Sequence, residues 1–123
     1  MITEDYVSFE VAKLLKEKGF DEPLNRIIYY NGTKELLERK ITNSQCNSDF
    51  CSCLTHQMAM KWLREIHNID LMVEPYESEA DWKDKLYHII VFKDLKQEYA
   101  IYGNRFYEEA VKAALKYCLT NLI

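Results

Sequence analysis

The segment FYEEAVKAALKYCLTNL, Phe106 to Leu122, decides the fold class because it is the most strongly patterned stretch of the chain. Its apolar side chains recur every three or four residues, which places them on one face of an α-helix. They are Tyr107, Ala110, Val111, Ala114, Leu115, Cys118 and Leu122. Glu108 and Glu109 stand in the first turn, where the helix dipole favours negative charge. The sequence therefore predicts a closing helix that buries one face.

Three segments before this helix are typical of β-strands. Residues 70–74 alternate between polar and apolar, so they predict a half-buried strand that Pro75 ends or places at a sheet edge. Residues 86–92 are apolar on both faces and predict a central strand. Residues 99–102 predict a last short strand, after which Gly103-Asn104 turns the chain into the closing helix.

The first third of the chain predicts a helix and a hairpin. A helical pattern begins at Val7, with Thr3 or Ser8 as its cap, and Gly19 ends it. Residues 26–30 are rich in β-branched and aromatic side chains, and the Asn31-Gly32 dipeptide that follows favours a type I′ turn. We therefore expect a helix followed by two antiparallel strands.

The return strand of this hairpin is ambiguous. Glu35 to Ile41 fits a helix as well as a strand, because Leu36, Leu37, Lys40 and Ile41 also recur at helical spacing. We predict a strand there. Thr42 to Ser52 shows no periodicity and is rich in Asn and Ser, so it predicts a loop.

A middle helix follows this loop, with Thr55 as its N-cap and its end near His67. One face of it is apolar and is expected in the core: Met58, Ala59, Trp62, Leu63 and Ile66. The whole order is then α-β-β-α-β-β-β-α, an α+β fold in which mainly antiparallel sheet packs against helices. With 123 residues, 48% of them hydrophobic, and five Gly and Pro in all, the chain predicts a single domain, 1–123.

Cys46, Cys51, Cys53 and His56 are the candidate metal ligands, because three thiolates and an imidazole can complete a tetrahedral zinc site. Their spacing is poor for zinc. Structural sites usually use Cys-x2-Cys pairs, whereas Cys51 and Cys53 are one residue apart and point oppositely in an extended chain. We therefore predict reduced thiols, no metal and no cofactor, and keep a zinc-stabilised domain as an alternative.

The sequence shows no catalytic constellation, so the catalytic residues are unknown. His56 and His67 stand eleven residues apart on one helix, about 16 Å along its axis, and so cannot act together on one atom. His88 lies in the middle of a strand, where a hydrogen-bonded structural histidine is expected. A small enzyme with an unrecognised site remains an alternative to a non-enzymatic protein.

An acidic stretch lies between two of the predicted strands. It contains Glu74, Glu77, Glu79, Asp81 and Asp84. Carboxylates in this number can bind a hard cation or act as a paired acid and base. The chain lacks the Asp-x-Asp-x-Asp-Gly frame of a calcium loop, so we interpret the stretch as a solvated connection.

Charge and aromatic content indicate the kind of partner. A net charge of −4 repels polyanions and disfavours nucleic acid. The order helix, three strands, helix from Thr55 onward also occurs in double-stranded RNA-binding domains, but the acidic start of the closing helix would repel phosphates there.

Nine tyrosines are many for this length, and exposed ones such as Tyr29 or Tyr30, Tyr76 and Tyr102 suit stacking on bases or anchoring a protein interface. We expect a protein partner of unknown identity and keep a nucleic-acid-binding module as a minor alternative.

Two features of the sequence predict the location of the protein in the cell. The N-terminal residues are acidic where a secretory signal is basic, and no apolar stretch follows them. The longest apolar run, residues 89–92, is too short to cross a bilayer. We therefore expect a cytoplasmic protein that does not bind membranes, and we predict no oligomeric state because one sequence does not separate a core face from an interface.

Three blocks resemble a family of short uncharacterised proteins from gut bacteria and their phages or mobile elements. They are YVSFEVAKLLKEKGF (residues 6–20), THQMAMKWLRE (residues 55–65) and the closing helix, in YEEA (residues 107–110) and YCL (residues 117–119). The resemblance covers about half the chain. It implies an accessory protein, with no assigned activity and no catalytic residue. It also implies that a full Cys-Cys-Cys-His set is unusual before the middle helix.

Overall fold

The computed structural model describes residues 2–23, 26–45, 47–80 and 83–123. Its helices are α1 (Phe9–Glu17), α2 (His56–His67) and α3 (Tyr107–Asn121). Its strands are β1 (Ile27–Tyr30), β2 (Thr33–Leu36), β3 (Phe50–Ser52), β4 (Ile69–Glu77), β5 (Lys85–Lys93) and β6 (Lys96–Asn104). The α+β class and the predicted order of elements are confirmed, with β3 as a short addition.

The chain forms two compact units, Met1–Ala59 and Met60–Ile123, and the boundary between them falls inside α2. The first unit contains α1 and the sheet β2-β1-β3, and the second contains the sheet β4-β5-β6 and α3. A single domain over the whole chain stays a prediction.

Helix α1 begins and ends where its sequence signals predict. The Ser8 side chain caps it by accepting a hydrogen bond from the Val11 amide at 3.3 Å. Gly19 follows the helix with a φ of +96°, which only glycine adopts without strain, and the Phe20 amide then donates to the Leu15 carbonyl. Val11, Ala12 and Leu15 form its buried face.

The hairpin β1-β2 turns at Asn31-Gly32, as predicted. Both residues have positive φ, 47° and 84°, as a type I′ turn requires. The predicted bounds of the return strand, Glu35 to Ile41, are wrong because β2 begins at Thr33 and ends at Leu36. The two-residue turn sets the register Tyr30 to Thr33, so pairing starts directly after Gly32.

The predicted loop Thr42 to Ser52 contains regular structure. Residues Asn43–Gln45 form a 3-10 turn, and Phe50–Ser52 pair with β1 as β3. Asn43 is buried and holds this region together, since its Nδ2 donates to the Phe20 carbonyl and its Oδ1 accepts from the Ser52 amide, both at 2.8 Å. The side chain of Asn43 thereby provides a hydrogen-bond acceptor for the Ser52 amide of β3.

Helix α2 starts after Thr55, whose hydroxyl accepts from the Met58 amide at 3.1 Å, as its predicted capping role requires. Ala59, Trp62 and Leu63 are buried as expected, but Ile66 is exposed. The expectation that Ile66 belongs to the core is therefore wrong. Helical spacing identifies an apolar stripe but does not show how far burial extends toward the end of a helix.

In the second unit, β5 is the central strand, as predicted, and β4 and β6 pair with it antiparallel. Pro75 lies inside β4, which is an edge strand. Proline has no amide proton, and the outer side of an edge strand has no neighbouring strand that would need one. Gly103-Asn104 belongs to β6 rather than to the turn, so that prediction is wrong. The chain turns at residues 105–106.

Helix α3 packs on one face of this sheet and contacts all three of its strands. Its buried residues are Ala110, Val111, Ala114, Leu115, Cys118 and Leu119. They face the fully buried Ile89 and Val91 of β5, and Tyr117 stacks on Tyr99 of β6 with ring centroids 3.7 Å apart. The predicted amphipathic face of the closing helix is thus the face that packs.

Candidate interaction surface

The second sheet has a face that α3 does not cover, and we call it the open face. Side chains alternate along a strand, so the residues between those that face α3 point the other way. Register pairs place them side by side, Glu74 opposite His88 and Met72 opposite Ile90. The open face thus carries Asp70, Met72, Glu74 and Tyr76 of β4, Leu86, His88, Ile90 and Phe92 of β5, and Ala100 and Tyr102 of β6.

Three rings lie next to one another across the open face. The centroid of the His88 imidazole is 5.2 Å from that of Tyr76 and 5.3 Å from that of Tyr102. Both ring pairs are tilted, with interplanar angles of 38° and 55°. Because each ring comes from a different strand, the sheet hydrogen bonds fix their spacing.

His88 also forms a hydrogen bond with Glu74, with Nε2 and Oε2 2.9 Å apart. The imidazole is mostly covered, whereas the Glu74 side chain is 47% exposed. This bond confirms the interpretation of His88 as a hydrogen-bonded histidine. It holds the imidazole plane in place between the two tyrosines.

The open face presents apolar surface to solvent. Tyr102 is 64% exposed and Met72 39% exposed, and Tyr76, Ile90 and Phe92 are partly exposed. Of the other tyrosines predicted to be exposed, Tyr30 is exposed and stacks on Phe50, whereas Tyr29 is buried and donates its hydroxyl proton to the Val7 carbonyl. The prediction named Tyr29 or Tyr30, so it holds through Tyr30, and it holds for Tyr102 as well.

No lysine or arginine of β4, β5 or β6, all of whose residues are described, points from the open face. Lys85 is directed to the other side, with its ammonium 5.2 Å from the Tyr87 ring centroid, and Lys93 donates to the Leu122 carbonyl of α3. Arg105, which follows β6, pairs with Asp84 at 2.8 Å. On β4, the charged groups of the open face are the carboxylates of Asp70 and Glu74.

The candidate zinc ligands do not form a metal site among the residues that the structure describes. Cys46 lies outside the described residues, and no group of three or more His, Cys, Asp and Glu side chains elsewhere is arranged to hold a metal. Cys51, Cys53 and His56 are all buried. Burial raises the pKa of the Cys53 thiol.

The two histidines of α2 are separated along the helix. His56 and His67 stand at the two ends of the helix. Burial, and then the charge of Lys93, lowers the pKa of His67, whose ring meets Trp62 edge to face at 4.8 Å. Its Nε2 has no hydrogen-bond partner within the described ranges. His67 is therefore a neutral packing residue.

The described residues of the acidic stretch lie in different elements and make different contacts. Glu74 and Glu77 belong to β4, and Glu74 contacts His88. Asp84 pairs with Arg105 at the start of β5, and Asp81 lies outside the described residues. The interpretation as a simple connection is thus incomplete, since Glu74 belongs to the open face.

The first unit contains a cavity of about 550 Å³. Its walls include Phe9, Lys13, Asp49 and Phe50. The ammonium of Lys16, which also lines it, donates to the carbonyls of Asn47 and Phe50, both at 2.6 Å. Lys16 thereby tethers the segment before β3 to α1, which is a structural role.

The sequence pattern missed the pairing of Glu74 with His88. The two residues are fourteen positions apart, and only the register of β4 with β5 brings them together. Comparison of the chain with family models, with curated proteins and with solved structures finds no match. No described helix is long and apolar enough to span a membrane.

Proposed function

We propose that this chain is a non-enzymatic accessory protein that binds a protein partner through the open face of β4-β5-β6. The observation that carries the proposal is the row of Tyr76, His88 and Tyr102, held at ring distances of 5.2 and 5.3 Å and left partly exposed. Aromatic residues dominate the binding energy of protein interfaces because they bury large apolar areas with few rotatable bonds. Met72 extends this apolar surface along β4.

Rigidity supports the same proposal. Each ring is anchored in a nine-residue strand, and the bond to Glu74 restrains His88. Side chains that are ordered before binding lose little conformational entropy when a partner covers them. The open face is thus prepared for contact without rearrangement.

The charge of the open face favours a protein over a nucleic acid. Aromatic rings on a sheet can stack on bases, but such surfaces combine the rings with lysines and arginines that bind phosphates. Here the register places carboxylates on the open face: Glu74 lies opposite His88, and Asp70 lies opposite Phe92. A phosphate chain across this face would be repelled.

One observation favours a second candidate function, a small enzyme. A carboxylate that holds an imidazole, as Glu74 holds His88, is an arrangement that general-base catalysis uses. A catalytic base also needs a pocket that excludes water, whereas Glu74 is 47% exposed on a sheet face. The enzyme would be favoured over the binding protein if the wild type turned over a substrate and His88→Gln abolished this turnover without changing the melting temperature.

Peptide selection tests the proposed function without knowledge of the natural partner. A random twelve-residue display library is selected on the wild-type protein and counter-selected on Tyr102→Ala. We expect sequences that bind the wild type and not the variant, because Tyr102 presents the largest exposed ring of the row. The absence of such sequences, or equal binding to both proteins, would overturn the proposal.

A matched control is available on the same strand. Tyr99 lies in β6 on the opposite face, where it stacks on Tyr117, so Tyr99→Ala removes a ring of the same size away from the open face. Melting temperatures of both variants report whether they remain folded. Selected peptides should keep their affinity for Tyr99→Ala.

Two further proposals rest on the sequence alone. They are an origin in phages or mobile elements, which rests on the resemblance of three helices, and a cytoplasmic location. Both stay predictions.

A further inference from the structure

We infer that the partner segment bound by the open face presents a basic side chain, arginine or lysine, to the site formed by Glu74, His88 and Tyr102. This inference rests on the proposed function and specifies the chemistry of the partner. The three residues lie on one line across the strands, since Glu74 pairs with His88 in the register and the His88 ring contacts that of Tyr102.

The rings of this site favour a cation. The faces of aromatic rings carry partial negative charge and attract an ammonium or guanidinium within about 6 Å of their centroids. The centroids of His88 and Tyr102 are 5.3 Å apart with the planes tilted by 55°. A single guanidinium above the pair therefore contacts both rings, and Tyr102 is exposed enough to receive it.

Glu74 supplies the opposite charge at the same place. Its Oε2 is 2.9 Å from the His88 Nε2, and nearly half of its side chain is open to solvent. A carboxylate can accept several hydrogen bonds, so its one contact with the imidazole leaves acceptor positions for a guanidinium. A cation that stacks on Tyr102 and reaches Glu74 gains both interactions.

Among the described residues, the group that contacts Glu74 at this site is the His88 imidazole, not a lysine or an arginine. Lys83 and Lys85 line a shallow pocket with Tyr76, near the end of β4, and Lys85 also lies over Tyr87 on the other face. Arg105 is engaged by Asp84. Within the described strands no lysine or arginine contacts Glu74, so a guanidinium or ammonium that pairs with it would come from the partner.

Nuclear magnetic resonance titration with two small probes tests this inference. N-acetyl-arginine amide carries the guanidinium, and N-acetyl-citrulline amide has the same shape without the charge. At pH 8 we expect the arginine probe to shift the signals of Glu74, His88 and Tyr102 and to bind at least about fivefold more tightly than the citrulline probe. Glu74→Gln keeps the shape of the side chain. It should weaken the binding of the arginine probe and leave the affinity for the citrulline probe unchanged.

Tyr102→Ala and Tyr99→Ala test whether the arginine probe binds at the open face. Tyr102→Ala should abolish the shifts at His88, and Tyr99→Ala should leave them as in the wild type. Should Tyr102→Ala unfold, Tyr102→Leu, which removes the ring and keeps an apolar side chain, takes its place and should likewise abolish the shifts at His88.

The outcomes separate the inference from the proposed function. Equal binding of the two probes, or selected peptides that depend on Tyr102 but lack basic residues, would overturn the inference and leave the proposed function standing. Binding of a ten-residue oligothymidylate at Tyr102 in place of peptides would overturn both. Basic residues enriched in Tyr102-dependent peptides, together with a preference for the arginine probe, support both.

Discussion

Replacing Asn43 with alanine should destabilise the first unit more than any surface change nearby. The Asn43 side chain is 4% exposed and makes two hydrogen bonds of 2.8 Å, one to the Phe20 carbonyl and one from the Ser52 amide. Ser52 is itself buried, so its amide would lose an acceptor where water does not replace it.

The expected loss follows from these two bonds. Leaving a buried donor without its acceptor costs about 1–3 kcal/mol, and losing a typical hydrogen bond costs about 0.5–1.5 kcal/mol. Together they predict a decrease of about 2–4 kcal/mol in the free energy of unfolding. For a chain of this size each kcal/mol lowers the melting temperature by roughly 4 °C, so the expected decrease is roughly 8–16 °C.

Urea denaturation followed by circular dichroism measures this change. Ser44→Ala is the matched control, because Ser44 is exposed in the same 3-10 turn and its backbone contact with Asp21 is retained. We expect the control to change stability by less than about 0.5 kcal/mol. A loss below about 1 kcal/mol in Asn43→Ala would refute the role given to Asn43.

Three further predictions concern single groups. Ser8→Ala should cost about 1 kcal/mol in urea denaturation, because the cap on the Val11 amide is lost. Burial and Lys93 lower the pKa of His67, so the unfolded chain takes up the proton first as the pH falls through 6.5. The melting temperature should therefore fall between about pH 7.5 and 5.5, and less so in His67→Gln; an equal fall in both proteins would contradict this. Burial raises the pKa of the Cys118 thiol to about 12, so peptide mapping should find it unmodified after iodoacetamide treatment of the folded protein at about pH 8.

Local signals in the sequence predicted most of the fold. Ser8, Gly19, Asn31-Gly32 and Thr55 act through contacts within a few residues, and each one ends or begins an element where expected. Strand β3 was missed because its pairing with β1 and its contact with Asn43 join residues far apart in the chain. Three residues without periodicity carry no strand signal by themselves.

The site was only partly predictable for the same reason. Exposure of Tyr102 and a hydrogen-bonded His88 follow from alternation along single strands. The line of Glu74, His88 and Tyr102 depends on two strand registers, one with an irregularity between Tyr87 and Ile89. A bulge of this kind shifts which side chains face each other, and a sequence pattern does not show it.

The affinity of one selected peptide for the two tyrosine variants tests the central claim most directly. Isothermal titration calorimetry gives the dissociation constants for the wild type, Tyr102→Ala and Tyr99→Ala. Truncation of an aromatic anchor in an interface should weaken binding at least about tenfold, so we predict that loss for Tyr102→Ala and less than about twofold for Tyr99→Ala. Equal losses in the two variants, or none in Tyr102→Ala, would contradict binding through the open face.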